Sequence, residues 1–147
     1  MADDETPARL TAKSTWLISQ VAARSHGLLT ERLAAAGARG YHYRLLAALA
    51  EFGPSSQASL GRRTRMDRSD VVAAVGELAA EGLVERAADP ADRRRNVVTL
   101  TPRGTVRLER LDQVLAAVQD ELLAPLSGAE RAELARLLTR LLDSPGS

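Results

Sequence analysis

The stretch Gln57–Arg86 reads QASLGRRTRMDRSDVVAAVGELAAEGLVER, and the fold turns on it. Val71, Ala74, Val75 and Leu78 recur at spacings of three and four, which makes one inward stripe on a helix. Asp67 stands where an N-cap belongs, with Asp70 at the third helical position, favoured by the helix dipole. Gly82 closes that helix. Upstream, SQASLGRRTR makes a short helix after the breaking pair Gly53–Pro54, with Ser55 or Ser56 as its cap. A tight turn at Thr64–Arg65–Met66 separates the two helices.

Downstream, LVERA and NVVTLT read as strands, with Val98 and Leu100 alternating inward. Between them lies ADPADRRR, two acids and a proline followed by three consecutive arginines. A helix restarts at Thr101–Pro102, with the proline in the first helical position. Leu108, Leu111, Leu115, Val118 and Leu122 then form a coiled-coil-like seam that ends before Pro125. Ser127 and Glu130 form a capping box that opens a last helix carrying Leu134, Leu137, Leu138, Leu141 and Leu142. DSPGS reads as a frayed tail. Working backward, Tyr41–Phe52 is a helix with Leu45, Leu46, Leu49 and Phe52 on its buried side. Thr11–Ala36 is one long helix ended by Gly37 and Gly40.

The expected class is therefore mainly α with a small two-stranded β wing. A winged helix-turn-helix core at residues 41–101 is flanked by dimerisation helices at 1–40 and 102–147. The outer helices cannot bury their leucine stripes alone, so the economical partner is a second copy, a homodimer.

Composition narrows the function. The chain has 147 residues, of which 45% are hydrophobic and 27% charged, a globular balance. No apolar run approaches the ~20 residues that cross a bilayer, and the acidic start is no signal peptide, so a cytoplasmic protein without a membrane role is expected. The absence of cysteine excludes disulfides and thiolate metal sites. His26 and His42 are too scattered to hold a metal, and no cofactor is called for. There is no Gly-rich phosphate loop, His-Glu-x-x-His helix or nucleophile elbow, so an enzyme is not expected. Net charge is only +1, so any case for nucleic acid rests on where the arginines lie.

YRLLAAL, the quoted helix pair and DPADRRRNVVTLTPRG together resemble the MarR family of winged helix-turn-helix transcription regulators. The Asp-Pro-x-Asp-Arg-Arg loop, followed by Leu-Thr-x-x-Gly, is the most specific part. The resemblance implies double-stranded DNA as partner and a homodimeric repressor on a near-palindromic operator. The helix over 67–82 would enter the major groove and the wing over 88–96 the neighbouring minor groove. Arg68 can fork onto guanine or hold a phosphate; Ser69 can reach a base or phosphate; Val72 can touch a thymine methyl. Arg62, Arg63 and Arg65 are expected to neutralise phosphates. In the wing, Arg94 corresponds to the minor-groove probe, Asp92 to the acid that orients it, and Arg93 and Arg95 to flanking phosphate contacts; a plain solvated turn is the other reading.

Two positions depart from the family. Ala73 stands where a long polar residue is usual, and Arg65 where the turn usually has glycine, so a positive φ there would strain an arginine. Family members often bind anionic aromatic ligands, which makes Trp16, His42, Tyr43 and Arg44 candidates for a small-molecule effector site, or else packing residues. A winged helix used for protein–protein contact, or a ligand-independent activator, is the competing function.

Overall fold

The computed structural model describes residues 2–144. A 3-10 turn at Ala2–Asp4 precedes a single-turn helix α1 (Ala8–Thr11), α2 (Ser14–Ala35) and α3 (Gly40–Phe52). A two-residue strand β1 (Ser55–Ser56) leads into α4 (Gln57–Thr64) and α5 (Arg68–Ala80). Strands β2 (Val84–Ala88) and β3 (Asn96–Leu100) follow, then α6 (Pro102–Leu122) and α7 (Gly128–Leu142). The expected class is met, with helices throughout and one small antiparallel sheet.

Four local expectations are corrected. The sheet has three strands rather than two, in the order β1-β3-β2, because Ser55 and Ser56 pair with Val98 and Val97. The first long helix is two: the Lys13 N–H bonds the Leu10 carbonyl at 2.9 Å and the Leu17 N–H bonds that of Lys13, which resets the register between α1 and α2. Gly37, at φ 77°, does end α2, with the Ala38 N–H reaching back to the Leu33 carbonyl at 2.9 Å, but Gly40 begins α3 rather than ending α2. Phe52 is not buried; it is 51% exposed at the last position of α3. The tail expected at 143–147 is described only as far as Ser144.

The chain divides into two compact units, one made of residues up to Ser25 and from Ala116 on, the other of His26–Leu115. In the second, Leu45 and Leu46 from α3, Leu60 from α4, Val75 from α5, Val98 from β3 and Leu111 from α6 are fully buried. Truncating any of these leucines to alanine costs about 2–5 kcal/mol in a typical core. The first unit differs sharply. Val118 is buried there, while Leu17, Ile18, Val21, Leu137, Leu138, Leu141 and Leu142 stay exposed. Its helix α7 opens as expected, with Ser127 Oγ accepting from the Glu130 N–H at 3.2 Å and Glu130 Oε1 from the Ser127 N–H at 2.9 Å. No helix among the described residues is long and apolar enough to cross a membrane.

Candidate nucleic-acid interface

The turn between α4 and α5 is fixed by backbone hydrogen bonds. Ser56 Oγ caps α4 by accepting from the Ser59 N–H at 3.1 Å. At the other end the Met66 N–H reaches the Gly61 carbonyl at 3.1 Å, closing the helix around Arg65 in the left-handed conformation, φ 56° and ψ 43°. Among the described residues Arg65 is the one non-glycine with positive φ. A side chain on Gly61 would press on the Met66 carbonyl, at 3.3 Å from its Cβ. Asp67 takes the extended N-cap conformation and its carbonyl accepts from the Val71 N–H at 3.0 Å, but its carboxylate makes no capping bond. The cap is there in position and not in side-chain chemistry.

From this start α5 buries Val71, Ala74, Val75 and Leu78 and exposes Arg68, Ser69, Val72 and Ala73. A shallow groove of about 490 Å³ runs beside it, lined by Gln57, Ala58, Gly61, Arg62, Met66 and Arg68. Arg63, in the same last turn of α4, does not line the groove: its guanidinium carbon sits 3.8 Å above the centre of the Phe52 ring. That stacking explains an aromatic left at the surface, and the sequence carries no local signal for it.

The wing is built by its acids. The Asp89 N–H bonds the Arg95 carbonyl at 2.8 Å and closes the loop between β2 and β3. Asp89 Oδ1 accepts from the Ala91 N–H at 2.9 Å, and Asp92 Oδ1 from the Arg94 N–H at 3.0 Å. These are two successive Asx turns. Asp92 Oδ1 also lies 3.6 Å from Arg94 Nε, with the Arg94 side chain 95% exposed. An exposed ion pair of that length contributes little, about 0–1 kcal/mol. Asp92 therefore orders the backbone beneath Arg94 more firmly than it orders the guanidinium. Arg93, Arg94 and Arg95 are all exposed at the tip.

The Leu-Thr-x-x-Gly stretch ties the wing to α5. Thr101 Oγ1 donates to the Gly82 carbonyl at 2.7 Å and accepts from the Gly104 N–H at 3.1 Å, while the Thr101 N–H bonds the Leu83 carbonyl at 3.1 Å. Gly82, at φ 75°, ends α5 as expected. A Cβ on Gly104 would run into the Leu83 carbonyl oxygen and come within 2.6 Å of Leu100 Cδ1. Glycine is what lets α6 cross this close to β2 and β3. One hydroxyl and one missing methyl thus hold the ends of α5, β2, β3 and α6 together.

Residues 27–95 match the model of the MarR family. A crystal structure of a probable transcriptional regulator from Pseudomonas aeruginosa is 33% identical, covers 96% of this chain and 99% of its own, and superposes with a TM-score of 0.78. The chain belongs to the MarR family. Its MarR relatives are DNA-binding transcription regulators, and so is this chain. The HTH-type transcriptional repressor NicR of Pseudomonas putida is 28% identical over 96% of this chain and 89% of the repressor. A mutant MarR from E. coli, solved complexed with operator DNA, is 26% identical, covers 86% of this chain and 91% of its own, and has a TM-score of 0.75.

For a MarR protein the turn is unusual, since the position expected to carry glycine does hold a positive φ, with arginine in it. The residues considered for an effector are placed as follows. Trp16 lies on α2 in the first unit and is half-buried; the other three are on α3 in the second. His42 is 7% exposed and has both ring nitrogens engaged: Nδ1 accepts from the Arg39 N–H at 3.2 Å and Nε2 lies 2.7 Å from Glu77 Oε2. Because Nδ1 accepts, Nε2 carries the proton and donates to Glu77. Tyr43 Oη donates to Asp112 Oδ1 at 2.7 Å. That bond, with partial burial and the carboxylate's charge, pushes the phenol up to about 12. Arg44 is exposed. His42 and Tyr43 thus hold α3 to α5 and α6, long-range pairings that no spacing in the sequence announces.

Proposed function

We propose that two copies of this chain act as a repressor on a near-palindromic operator, each placing α5 in a major groove and its wing in the adjoining minor groove. The observation that carries this reading is the location of exposed arginines. With a net charge of only +1, the chain gathers Arg62, Arg63, Arg65 and Arg68 at the α4–α5 turn and Arg93, Arg94 and Arg95 at the wing tip. A major groove takes a helix, and the negative potential of a narrow minor groove attracts an exposed arginine such as Arg94. Repression is the activity in the name of the NicR relative.

The second copy is supported by the first unit. Leu17, Ile18 and Val21 on α2, and Leu137, Leu138, Leu141 and Leu142 on α7, are exposed large apolar side chains. They are 42–63% exposed, so covering what remains gains roughly half of the ~1.5–3 kcal/mol of a full burial for each. A symmetric pair presents two recognition helices, so half-sites fall about one helical turn, ~10 base pairs, apart. The test is selection of bound genomic fragments followed by hydroxyl-radical footprinting. Two protected half-sites about one turn apart, with minor-groove protection lost in Arg94→Ala, are expected. A single protected site, or a footprint unchanged in Arg94→Ala, would overturn the arrangement.

A further inference from the structure

Past its first turn, α5 offers DNA almost no hydrogen-bonding side chain. Glu77 is the one long polar residue on it beyond Asp70, and its carboxylate is drawn back toward the start of α3. Oε2 accepts from His42 Nε2 at 2.7 Å, and Oε1 lies 3.9 Å from Arg39 Nη1. A carboxylate is an acceptor suited to the cytosine amino group, and here two partners hold it elsewhere. A Cβ at Gly76 would meet nothing within 4 Å, so the space beside this position is open. What remains for base edges is the Arg68 fork, the Ser69 hydroxyl and an apolar strip of Val72 and Ala73. Val72 is 46% exposed, an apolar surface with no partner within its own unit's core.

In the major groove one base alone presents an apolar group, thymine with its 5-methyl. We propose that Val72 is a specificity-determining residue that selects a thymine methyl in each half-site. The inference rests on α5 entering the major groove. It goes beyond that reading by naming the chemical group read and the side chain that reads it. With no long side chain at positions 73 and 76 to hold the helix off, α5 can approach the groove closely enough for a branched valine to touch the methyl.

The probe is the tightest duplex selected by the protein from a randomised pool. It is resynthesised with deoxyuridine replacing each thymine in turn, which deletes the methyl and keeps the base pair. At one thymine per half-site affinity should fall about fourfold, the factor set by ~0.8 kcal/mol for one buried methyl-sized group. In Val72→Ala the same replacement should cost less than twofold, because the partner is already gone. Restoring a methyl with 5-methyldeoxyuridine, which is thymidine, resets the wild type. Val72 is outside the core, so a thermal melt of the variant matching the parent guards against misfolding. Neutral replacement at every thymine overturns the proposal, as does a fourfold cost that persists in Val72→Ala. Failure to bind any duplex in a salt-sensitive way is a different result: it removes the major-groove reading, and the proposal with it.

Discussion

Arg65 joins two demands that a pair of substitutions pulls apart. Its backbone is left-handed, φ 56°, which costs an L-residue about 1–2 kcal/mol. Glycine relieves that strain but brings back about 0.5–1 kcal/mol of unfolded-chain entropy. Arg65→Gly should therefore gain about 0.5–1 kcal/mol in net stability, a rise in Tm of roughly 2–4 °C for a chain of this size. Arg65→Ala keeps the strain and should gain nothing. Both remove the same charge beside Arg62 and Arg63. If Arg65 neutralises one phosphate per protomer, both lower the slope of log K against log salt by about 0.9 per contact, about 1.8 per dimer. Calorimetric melts and anisotropy titrations across a salt series measure the two effects separately. Equal stability of the glycine and alanine variants would refute the strain argument. An unchanged slope in both would remove Arg65 from the interface.

Three further outcomes follow from the geometry. Gly104→Ala should destabilise by about 3 kcal/mol or more in urea melts, because the new Cβ meets backbone at Leu83 and cannot relax away; a loss under 1 kcal/mol would contradict the close crossing. Asp92→Ala should weaken operator binding several-fold although it removes a negative charge, whereas Asp92→Asn, which keeps the acceptor for the Arg94 N–H, should bind at least as well as the parent by anisotropy. Tyr43 should ionise near 12 in an ultraviolet titration, above the ordinary value of 10.0, with most of the delay lost in Asp112→Ala. The neutral phenol is the favoured folded form, so its contribution is complete below pH 10 and disappears as pH rises toward 12.

How far the sequence could be read depended on the range of the interaction. The inward stripe of α5, the closures at Gly37 and Gly82, the caps at Ser56, Thr101 and Ser127, and the strand pair all follow from residues within one turn or one register, and all stand. The departure at Arg65 was also legible, because one missing glycine in a turn is a local fact. Ser55 and Ser56 show in the sequence only as cap residues, since a two-residue strand has too few positions for alternation to show. Phe52 follows the period of its helix face, and only Arg63 across space explains its exposure. His42 and Glu77 are 35 residues apart and Tyr43 and Asp112 are 69 apart, so no local spacing announces the hydrogen bonds that these candidate effector or packing residues make within the fold. Asp92 was placed correctly in the wing, yet its firmer partner is the Arg94 backbone rather than the guanidinium.

On the proposed function, arginines at the α4–α5 turn and the wing grip DNA backbone. Titration of a fluorescent random-sequence duplex at 50 and 200 mM salt tests it most directly, with Arg94→Ala in parallel. About ten phosphate contacts per dimer, five from each protomer, predict a fall in affinity on the order of 10⁵ between the two conditions, with a shallower slope in the variant. Binding that is absent, or that does not respond to salt, would contradict it.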